Sequence, residues 1–535
     1  MNTETYIAGR MLTWAAAQHR QRTAFIVQGH SYSFTEVEAR TNRLANALIA
    51  LGLQPGERLA VLLGNSVHCV DSIFGAEKAA LTYLPLNARH TLHEHVDILN
   101  DAEVAAVLVG PQFAAVGSQL AARVPSLKHV IALDWSAAGI TDYDALVRAA
   151  ADTAPAIKVR SDHLIRIAYT SGTTGKPKGV AYTLERWQAR LTNHFMAMEY
   201  ALGHDDAMLH VGPLTHAAGI HLLPCYLRGA CNVIEDKFDA DDALKAIEQH
   251  RITQLMLVPT MLTRLLDVLD SGAKADISSL RIIHYGTAPT SAALLKRAIA
   301  TFGPILRQQY GMTEAVQPLA VLYPDDHVAD GVVQERRLGS CGRPTVNVGI
   351  EVHDRDGKAL SPGEIGEIAI AHRGVGEVSF WRRPELLTES VRGGWYYTGD
   401  LGHFDEDGYL YIVGRSKDMI ISGGFNVYAR EVEDALTAHV SVAEAAVLGL
   451  PDAEWGEKVA AFVVLRPGAT VTKEELLHHC GELIAGYKKP RVVDFVDTLP
   501  RNASGKVTKN LLKDAFLSRK EPGSAPSMTD GVHPK

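Results

Sequence analysis

YTSGTTGKPKGV, at residues 169–180, is the stretch on which the interpretation of the whole chain depends. It follows a strand-like run and is rich in glycine, hydroxyl side chains and lysine. Glycines let the backbone approach an anion, successive N–H groups form a concave nest, and hydroxyls and a lysine add donors and charge. The stretch therefore predicts a clamp for a polyphosphate.

This stretch differs from a Walker A loop. Gly172 and Gly175 are too close together, and Lys176 is followed by Pro177. An isolated stretch rich in Gly, Ser and Thr is often an ordinary flexible loop, but the full string favours the clamp, with Lys176 or Lys178 supplying the charge. The candidate phosphate-binding residues are Thr170, Ser171, Gly172, Thr173, Thr174, Gly175 and Lys178.

Composition narrows the class of protein. The chain has 535 residues, of which 47% are hydrophobic and 21% charged, and its formal net charge is −8. These values exclude extensive disorder and give no electrostatic case for nucleic acid as a partner. The five cysteines form no CxxC pair, which argues against a disulfide framework and a zinc ribbon.

The hydropathy pattern bears on the cellular location of the protein. The first twenty residues lack the pattern of a signal peptide, and no apolar run reaches the roughly 18 residues that a membrane-spanning helix needs. The sequence therefore predicts a cytoplasmic protein without a membrane span.

Alternating helix and strand patterns predict an α/β fold. Ser33 and Glu36 have the spacing of a capping box at a helix start. We expect a large N-terminal domain over 1–416, a small C-terminal α+β domain over 417–518 and a disordered tail over 519–535. The N-terminal domain would contain two α/β subdomains, about 1–160 and 161–330, and a small antiparallel sheet or β-barrel over 331–416.

Four further motifs follow the glycine-rich loop in order: YGMTE (310–314), YYTGD (396–400), GRSKDMIISGG (414–424) and PRNASGKVTK (500–509). Together with that loop, they resemble the signature motifs of the adenylate-forming superfamily. This superfamily includes acyl- and aryl-CoA synthetases, the adenylation domains of peptide synthetases and beetle luciferases. The resemblance spans nearly the whole chain.

The resemblance assigns nucleotide-binding roles to residues of these motifs. Tyr310 would stack on adenine, with Gly311 beside it, and Thr313 would hydrogen-bond a phosphoryl oxygen. Glu314 would coordinate Mg²⁺, which takes oxygen ligands and bridges phosphates. Asp400 could accept hydrogen bonds from both ribose hydroxyls.

The resemblance also implies a mobile C-terminal domain. Lys506 would stabilise the charge that develops during adenylation and, with Thr173 and His216, forms the predicted catalytic set. Arg415 would add a second ribose or phosphate contact. Lys417 would be the hinge about which the domain rotates between adenylation and thioester formation.

In the thioester-forming arrangement, Gly423 and Gly424 would line the tunnel for the pantetheine arm of CoA. Trp455 and Tyr487 resemble aromatic positions near the CoA adenine in aryl-CoA ligases. Ordinary packing is the alternative for both aromatic residues.

The acid pocket follows from the same resemblance. His216 would border the carboxylate end of the acyl site, and Ala218, Gly286, Thr287 and Ala288 would form its walls. These small residues leave space and offer little charge, so they favour a fatty or aromatic acid over an amino acid. Phe238-Asp239 keeps an amino acid substrate as an alternative.

The resemblance implies ATP-dependent ligation of a carboxylic acid to CoA through an acyl-adenylate, with release of AMP and pyrophosphate. The expected partners are the acid, ATP and CoA, and a homodimer is the candidate oligomeric state. Alternatives are an acyl-AMP ligase that loads a carrier protein, a luciferase-like oxidative enzyme, and a non-catalytic binding protein. Glu314, Asp400 and Lys506 together argue against the last.

Overall fold

The computed structural model describes residues 5–171, 177–198, 201–315, 317–328, 331–374, 377–501 and 506–520. The chain divides into an N-terminal unit, Met1–Thr398 with Gly402–Ile412, and a C-terminal unit, Gly399–Leu401 with Val413–Lys535. The predicted mixed α/β class, with a large N-terminal and a smaller C-terminal domain, is confirmed. The boundary near Lys417 and the subdomain limits stay predictions.

Within the described part of the chain, seven strands form the first sheet of the N-terminal unit. In spatial order they are β11 (Pro177–Thr183), β10 (Leu164–Ser171), β5 (Thr82–Pro85), β4 (Arg58–Leu62), β6 (Ala106–Val109), β7 (His129–Ala132) and β8 (Thr141–Asp142). All neighbours are parallel except β10 and β11, which form an antiparallel hairpin around the glycine-rich loop.

Nine strands among the described residues form the second sheet. In spatial order they are β18 (Arg343–Pro344), β17 (Ala320–Leu322), β16 (Leu306–Tyr310), β15 (Ile282–Gly286), β14 (Gln254–Leu257), β12 (Ala207–His210), β13 (Cys231–Ile234), β2 (Thr23–Val27) and β3 (His30–Ser33). The strands from β16 to β2 are parallel, so their carboxyl ends share one edge.

The order of the strands along the chain does not match their division between the two sheets. β2 and β3 come from the first 33 residues but lie in the second sheet, whereas β10 and β11 follow residue 160 but lie in the first. The division near residue 160 stays a prediction, and the strand exchange shows only that the sheets are not built from consecutive segments of the chain. Hydrophobic periodicity identifies a strand but does not say which sheet the strand joins.

A third sheet follows, in the region where the sequence indicated a small antiparallel sheet or barrel. Its five described strands are β19 (Ile350–His353), β20 (Gly366–Ala371), β22 (Trp395–Phe404) and β21 (Val391–Arg392), with β23 (Leu410–Arg415) also beside β22. β22 and β23 contribute residues to both units. Near the N-terminus, β1 (Thr5–Ile7) pairs with β9 (Lys158–Arg160).

Helices connect the strands of the N-terminal unit. They are α1 (Arg10–His19), α2 (Phe34–Ala50), α3 (Val67–Lys78), α4 (Leu92–Asp101), α5 (Ala114–Leu120), α6 (Tyr143–Arg148), α7 (Leu184–Ala197), α8 (Leu222–Arg228), α9 (Ala240–His250), α10 (Pro259–Asp270), α11 (Ala292–Phe302), α12 (Val332–Arg337) and α13 (Pro384–Ser390). The predicted capping box is present, since Ser33 and Glu36 bond reciprocally at the start of α2.

The C-terminal unit has its own sheet and core. Its described strands are β25 (Phe425–Val427), β24 (Ile420–Ser422), β27 (Gly456–Leu465) and β26 (Val442–Asp452), with β28 (Val492–Phe495) also beside β27. The helices are α14 (Ala429–Thr437), α15 (Lys473–Leu483) and α16 (Lys509–Lys520). The core includes Val432, Val459 and Leu476.

The end of the chain was predicted to be disordered from residue 519. Residues 519 and 520 instead complete α16, and residues 521–535 lie outside the described part of the chain. Among the described residues, no helix combines the length and apolar character that crossing a bilayer requires.

A buried ion pair joins α2 to α3. Lys78 is 1% exposed, and its Nζ lies 2.5 Å from Glu38 Oε2 and 2.7 Å from Asn42 Oδ1. Replacing one member of a buried pair leaves the other partners without their hydrogen bonds, which is costly.

We expect Lys78→Met to lower the free energy of unfolding by about 3 kcal/mol, measured by urea denaturation. The control is Lys245→Met, which removes an exposed pair with Asp242 and should cost less than about 0.5 kcal/mol. Equal effects of the two substitutions would contradict this role of Lys78.

Candidate active site

The carboxylate of Glu314 is held by both strands that flank the glycine-rich loop. Glu314 is 8% exposed and lies just beyond the carboxyl end of β16. Its Oε1 is 2.8 Å from Lys178 Nζ and accepts a 3.3 Å hydrogen bond from Thr170 Oγ1. Thr170 and Lys178 are cross-strand partners in β10 and β11, so the hairpin places a hydroxyl and an ammonium on one carboxylate.

Two further side chains hold the backbone carbonyl groups of Thr313 and Glu314 by hydrogen bonds. The Tyr182 hydroxyl donates to the carbonyl of Thr313, and the buried guanidinium of Arg186 donates to the carbonyl of Glu314. Sequence reasoning missed both residues. They come from β11 and the first turn of α7, and no spacing in the sequence connects them to residue 314.

The charge state of Glu314 follows from its surroundings. Burial alone would raise the pKa of the Glu314 carboxyl, but the Lys178 ammonium and the hydrogen bonds that the carboxylate accepts hold it below its ordinary value. Glu314 is therefore ionised at neutral pH and is available to a cation.

A small cavity lies at the carboxyl ends of β14, β15 and β16. Met256, Thr287, Gln309, Tyr310, Gly311 and Gln317 line it. It brings Thr287, predicted for the acid pocket, together with Tyr310 and Gly311, predicted for the nucleotide. Ligands bind at this edge of open parallel sheets.

The end of β15 needs a residue without a side chain. A Cβ at Gly286 would lie 2.5 Å from the Gln309 carbonyl oxygen, closer than any side chain permits. Thr287 and Ala288, which follow it, are exposed. The segment predicted as a wall of the acid pocket therefore begins where β15 passes close to β16 and continues as two solvent-exposed residues.

His216 precedes a short 3₁₀ turn over Ala217–Ile220 and is accessible to solvent. The protein packed around its ring lowers the pKa of His216, and the nearby Arg166 adds to that lowering. Ala218 is half-buried, and its carbonyl oxygen lies 3.2 Å from His210 Nδ1.

In the C-terminal unit, Asp400 is 6% exposed and its Oδ1 lies 3.0 Å from Arg415 Nε. The two residues predicted for the ribose therefore form an ion pair. Lys417 is exposed in the turn that follows β23. Lys506 is also exposed, and Arg501 and Val507 form a bridge beside it.

The residues predicted for CoA form close contacts within the same unit. A Cβ at Gly423 would lie 2.5 Å from the Trp455 ring, which therefore packs directly on that glycine. The Arg491 guanidinium lies over the Trp455 ring, 4.0 Å from its centre, and the rings of Phe425 and Tyr487 are 4.9 Å apart. The neighbouring Gly424 has open space around its Cα.

Part of the predicted site is not described. Gly172, Thr173, Thr174, Gly175 and the Ser171 side chain lie outside the described residues. All the site assignments stay predictions.

We expect Lys178→Met to raise the pKa of Glu314, because burial then acts without the opposing charge. The lowered wild-type pKa means that ionised Glu314 stabilises the fold above the ordinary value of 4.5 and loses this effect as the pH falls through the folded pKa. The substitution should therefore cost about 2 kcal/mol near pH 7, and the cost should shrink toward pH 4.

The measurement is urea unfolding between pH 4 and pH 8. Lys178→Arg, which keeps the charge, is the control and should behave nearly like the wild type. A cost of Lys178→Met that does not change with pH would show that the charge pair is not its cause.

Family models describe most of this chain. Residues 12–378 match the model of the AMP-binding enzyme, and residues 431–506 match the C-terminal domain of AMP-binding enzymes. The chain is also 34% identical over 529 residues to the medium/long-chain-fatty-acid–CoA ligase FadD8 of Mycobacterium tuberculosis, covering 95% of this chain and 90% of that protein.

Two further similarities extend over nearly the whole length. Identity to the feruloyl-CoA synthase of an Amycolatopsis species is 36% over 494 residues, covering 91% of this chain and 94% of that protein. The solved structure of o-succinylbenzoate CoA synthetase from Bacillus subtilis, in complex with its acyl-adenylate intermediate, superposes with a TM-score of 0.83 at 30% identity. It covers 96% of this chain and 99% of that one. The chain belongs to the AMP-binding enzymes of the adenylate-forming superfamily.

Proposed function

We propose that this protein is an ATP-dependent ligase that joins a fatty or aromatic carboxylic acid to coenzyme A through an acyl-adenylate. The observation that carries the proposal is the cavity in which Thr287 meets Tyr310 and Gly311. Thr287, expected to contact the acid, and Tyr310 and Gly311, expected to contact the nucleotide, thus border the same small cavity.

The chemistry joins two anions, the carboxylate and the α-phosphate of ATP, so their repulsion must be neutralised. Lys178 and the backbone amides of the glycine-rich loop would bind phosphate oxygens. Lys506 would stabilise the charge that develops as the carboxylate attacks phosphorus and pyrophosphate leaves.

The carboxylate of Glu314 is suited to coordinate a magnesium ion. Mg²⁺ is commonly held by one or two carboxylates plus substrate phosphates and water, so it does not need a cluster of acidic residues. Among the described residues, no group of three or more His, Cys, Asp or Glu side chains is arranged to hold a metal. Glu314, ionised and next to the Thr170 hydroxyl, supplies the one carboxylate required. Bound Mg²⁺ would neutralise phosphate charge.

The second half-reaction transfers the acyl group to sulfur. The CoA thiolate attacks the acyl carbon and AMP leaves. The open surroundings of Gly424 support a path for the pantetheine arm, because nothing lies within 4 Å of a Cβ placed there, whereas the space beside Gly423 is filled by the Trp455 ring. Asp400 and Arg415 would hold the ribose.

The residues predicted to wall the acid site, Ala218, Gly286, Thr287 and Ala288, are small and uncharged, which supports a fatty or aromatic acid. A carrier protein in place of CoA is the main alternative acceptor. We also propose a cytoplasmic location and a homodimer, and size-exclusion chromatography with light scattering tests the latter.

The test of the ligase activity is ATP–pyrophosphate exchange over a panel of fatty and aromatic acids, followed by thioester formation with CoA. Exchange with at least one acid, and a CoA thioester of that acid, support the proposal. Exchange without a CoA thioester would indicate a carrier protein as acceptor. No exchange with any acid would indicate a non-catalytic protein.

We expect Lys506→Ala to reduce adenylation at least about 100-fold, because a preorganised cation at the developing charge is lost. Thioester formation from supplied acyl-AMP should change little. The control is Lys473→Ala, an exposed lysine of the same unit, which should leave both half-reactions intact. An equal loss in both half-reactions of Lys506→Ala would contradict the assigned role.

Gly424→Leu should have the opposite effect and reduce thioester formation about tenfold or more, while adenylation stays near the wild-type rate. The physical reason is that a side chain would obstruct the thiol. Gly468→Leu is a matched control, because Gly468 has a similar backbone conformation and equally open surroundings. A normal thioester rate for Gly424→Leu would remove Gly424 from the path.

A further inference from the structure

The loop between β12 and α8 carries His216 and is folded back on itself. The backbone N–H of His216 donates to the carbonyl of Pro213 at 3.0 Å, and the N–H of Gly219 donates to the carbonyl of His216 at 3.0 Å. A Cβ at Gly219 would overlap the carbonyl oxygen of Leu214. Residues 212–219, which we call the His216 turn, therefore form a compact unit whose backbone groups pack on one another.

One side chain from outside the loop holds the start of the His216 turn. Asn65 lies between β4 and α3 and is 7% exposed. Its Nδ2 donates to the carbonyls of Gly212 and Glu235, and its Oδ1 accepts a hydrogen bond from the N–H of Leu214, each at 2.9 Å. An asparagine amide offers two donors and an acceptor on a short chain, so this one residue satisfies three backbone groups.

These three hydrogen bonds connect the two sheets of the N-terminal unit. β4 belongs to the first sheet, beside β5, which in turn pairs with β10 of the glycine-rich hairpin. The partners of Asn65 lie just beyond the carboxyl ends of β12 and β13 in the second sheet. Asn65 therefore fixes the His216 turn relative to the sheet that carries the proposed phosphate clamp.

The far end of the turn is held by a second buried side chain. His210 is 1% exposed, and its Nδ1 lies 3.2 Å from the carbonyl oxygen of Ala218. The backbone of the turn is thus anchored on both sides of residue 216, whereas the His216 side chain is exposed. A fixed backbone therefore presents one accessible imidazole.

We propose that Asn65 is a positioning residue for adenylation: it holds the His216 turn, and with it the carboxylate end of the acid, in line with the α-phosphate bound at the glycine-rich hairpin. This inference rests on the proposed function, in which His216 borders the carboxylate. Asn65 acts through the backbone of Gly212 and Leu214 and touches no reacting atom. Attack on phosphorus needs close alignment, and a displacement of about 1 Å can cost about 100-fold in rate.

We expect Asn65→Ala to lower kcat of ATP–pyrophosphate exchange about tenfold and to raise KM for the acid, because the turn loses three hydrogen bonds and shifts. KM for ATP should stay within about twofold of the wild-type value, since the hairpin keeps its ion pair between Lys178 and Glu314. A general weakening of the fold would not separate the acid from ATP in this way.

Asn46→Ala is the matched control. Asn46 also lies in the N-terminal unit, and its Nδ2 donates to two distant backbone carbonyls, those of Ala151 and Thr153, each at 2.8 Å. The control therefore also removes hydrogen bonds from an amide to the backbone, but in a region that carries no predicted site residue. It should leave kcat and both KM values near those of the wild type.

The position of the turn can also be measured without any reaction. Burial lowers the pKa of the His216 imidazole below its ordinary value of 6.5, against an opposing hydrogen bond at the Thr215 backbone. The charged groups that lower this pKa further are Arg166, His90 and Arg89. Asn65→Ala should raise the pKa of His216 toward 6.5, because a displaced turn exposes the ring to water. The measurement is a pH titration by NMR with isotope-labelled histidine, in which His216→Gln identifies the signal by its loss.

The two measurements separate this inference from the ligase activity. Asn65→Asp, which keeps the size of the side chain and the acceptor for Leu214, replaces Asn65→Ala should the latter not fold, and it should change both readouts in the same direction. A raised pKa of His216 without exchange for any acid would support the hold of Asn65 on the turn and overturn the ligase. Exchange with wild-type acid kinetics and a wild-type pKa of His216 in the Asn65 variants would do the reverse. Equal rises of KM for the acid and for ATP would also overturn the positioning role.

Discussion

The ion pair between Lys178 and Glu314 is the constraint on which the geometry of the site depends. It connects the hairpin of the first sheet to the carboxyl end of β16 in the second sheet, at 2.8 Å between Nζ and Oε1. A buried carboxylate is stable only when it is paired and hydrogen-bonded. The same pairing that makes burial of Glu314 tolerable therefore holds the hairpin of β10 and β11 beside the end of β16, one of the three strands whose carboxyl ends border the cavity.

This arrangement has a chemical consequence for the proposed reaction. In the structure, Lys178 and Glu314 neutralise one another. In the proposed reaction, a phosphate would take the place of Glu314 beside Lys178, and Mg²⁺ would take the place of Lys178 beside Glu314, so each charge would keep a partner of opposite sign. The ion pair keeps both groups charged and oriented before the substrate binds.

The second sheet adds a different kind of preorganisation. On its polar face, His210 pairs with Asn232 and His284 pairs with Gln254, and these hydrogen bonds fix the four side chains. In the described ranges, two amide atoms of this face, Asn232 Nδ2 and Gln309 Oε1, lack a hydrogen-bond partner.

The sequence by itself determined the α/β class and the family, because hydrophobic periodicity and five ordered motifs are local properties of the chain. It also identified the helix start at Ser33. It did not determine that β2 and β3 join the second sheet, or that Tyr182 and Arg186 bond the backbone at 313–314. These features depend on contacts between distant residues, as in the bond from Thr170 to Glu314 across 144 positions. Local periodicity predicts which residues are buried. Only the packing of the whole chain determines which groups each buried side chain contacts.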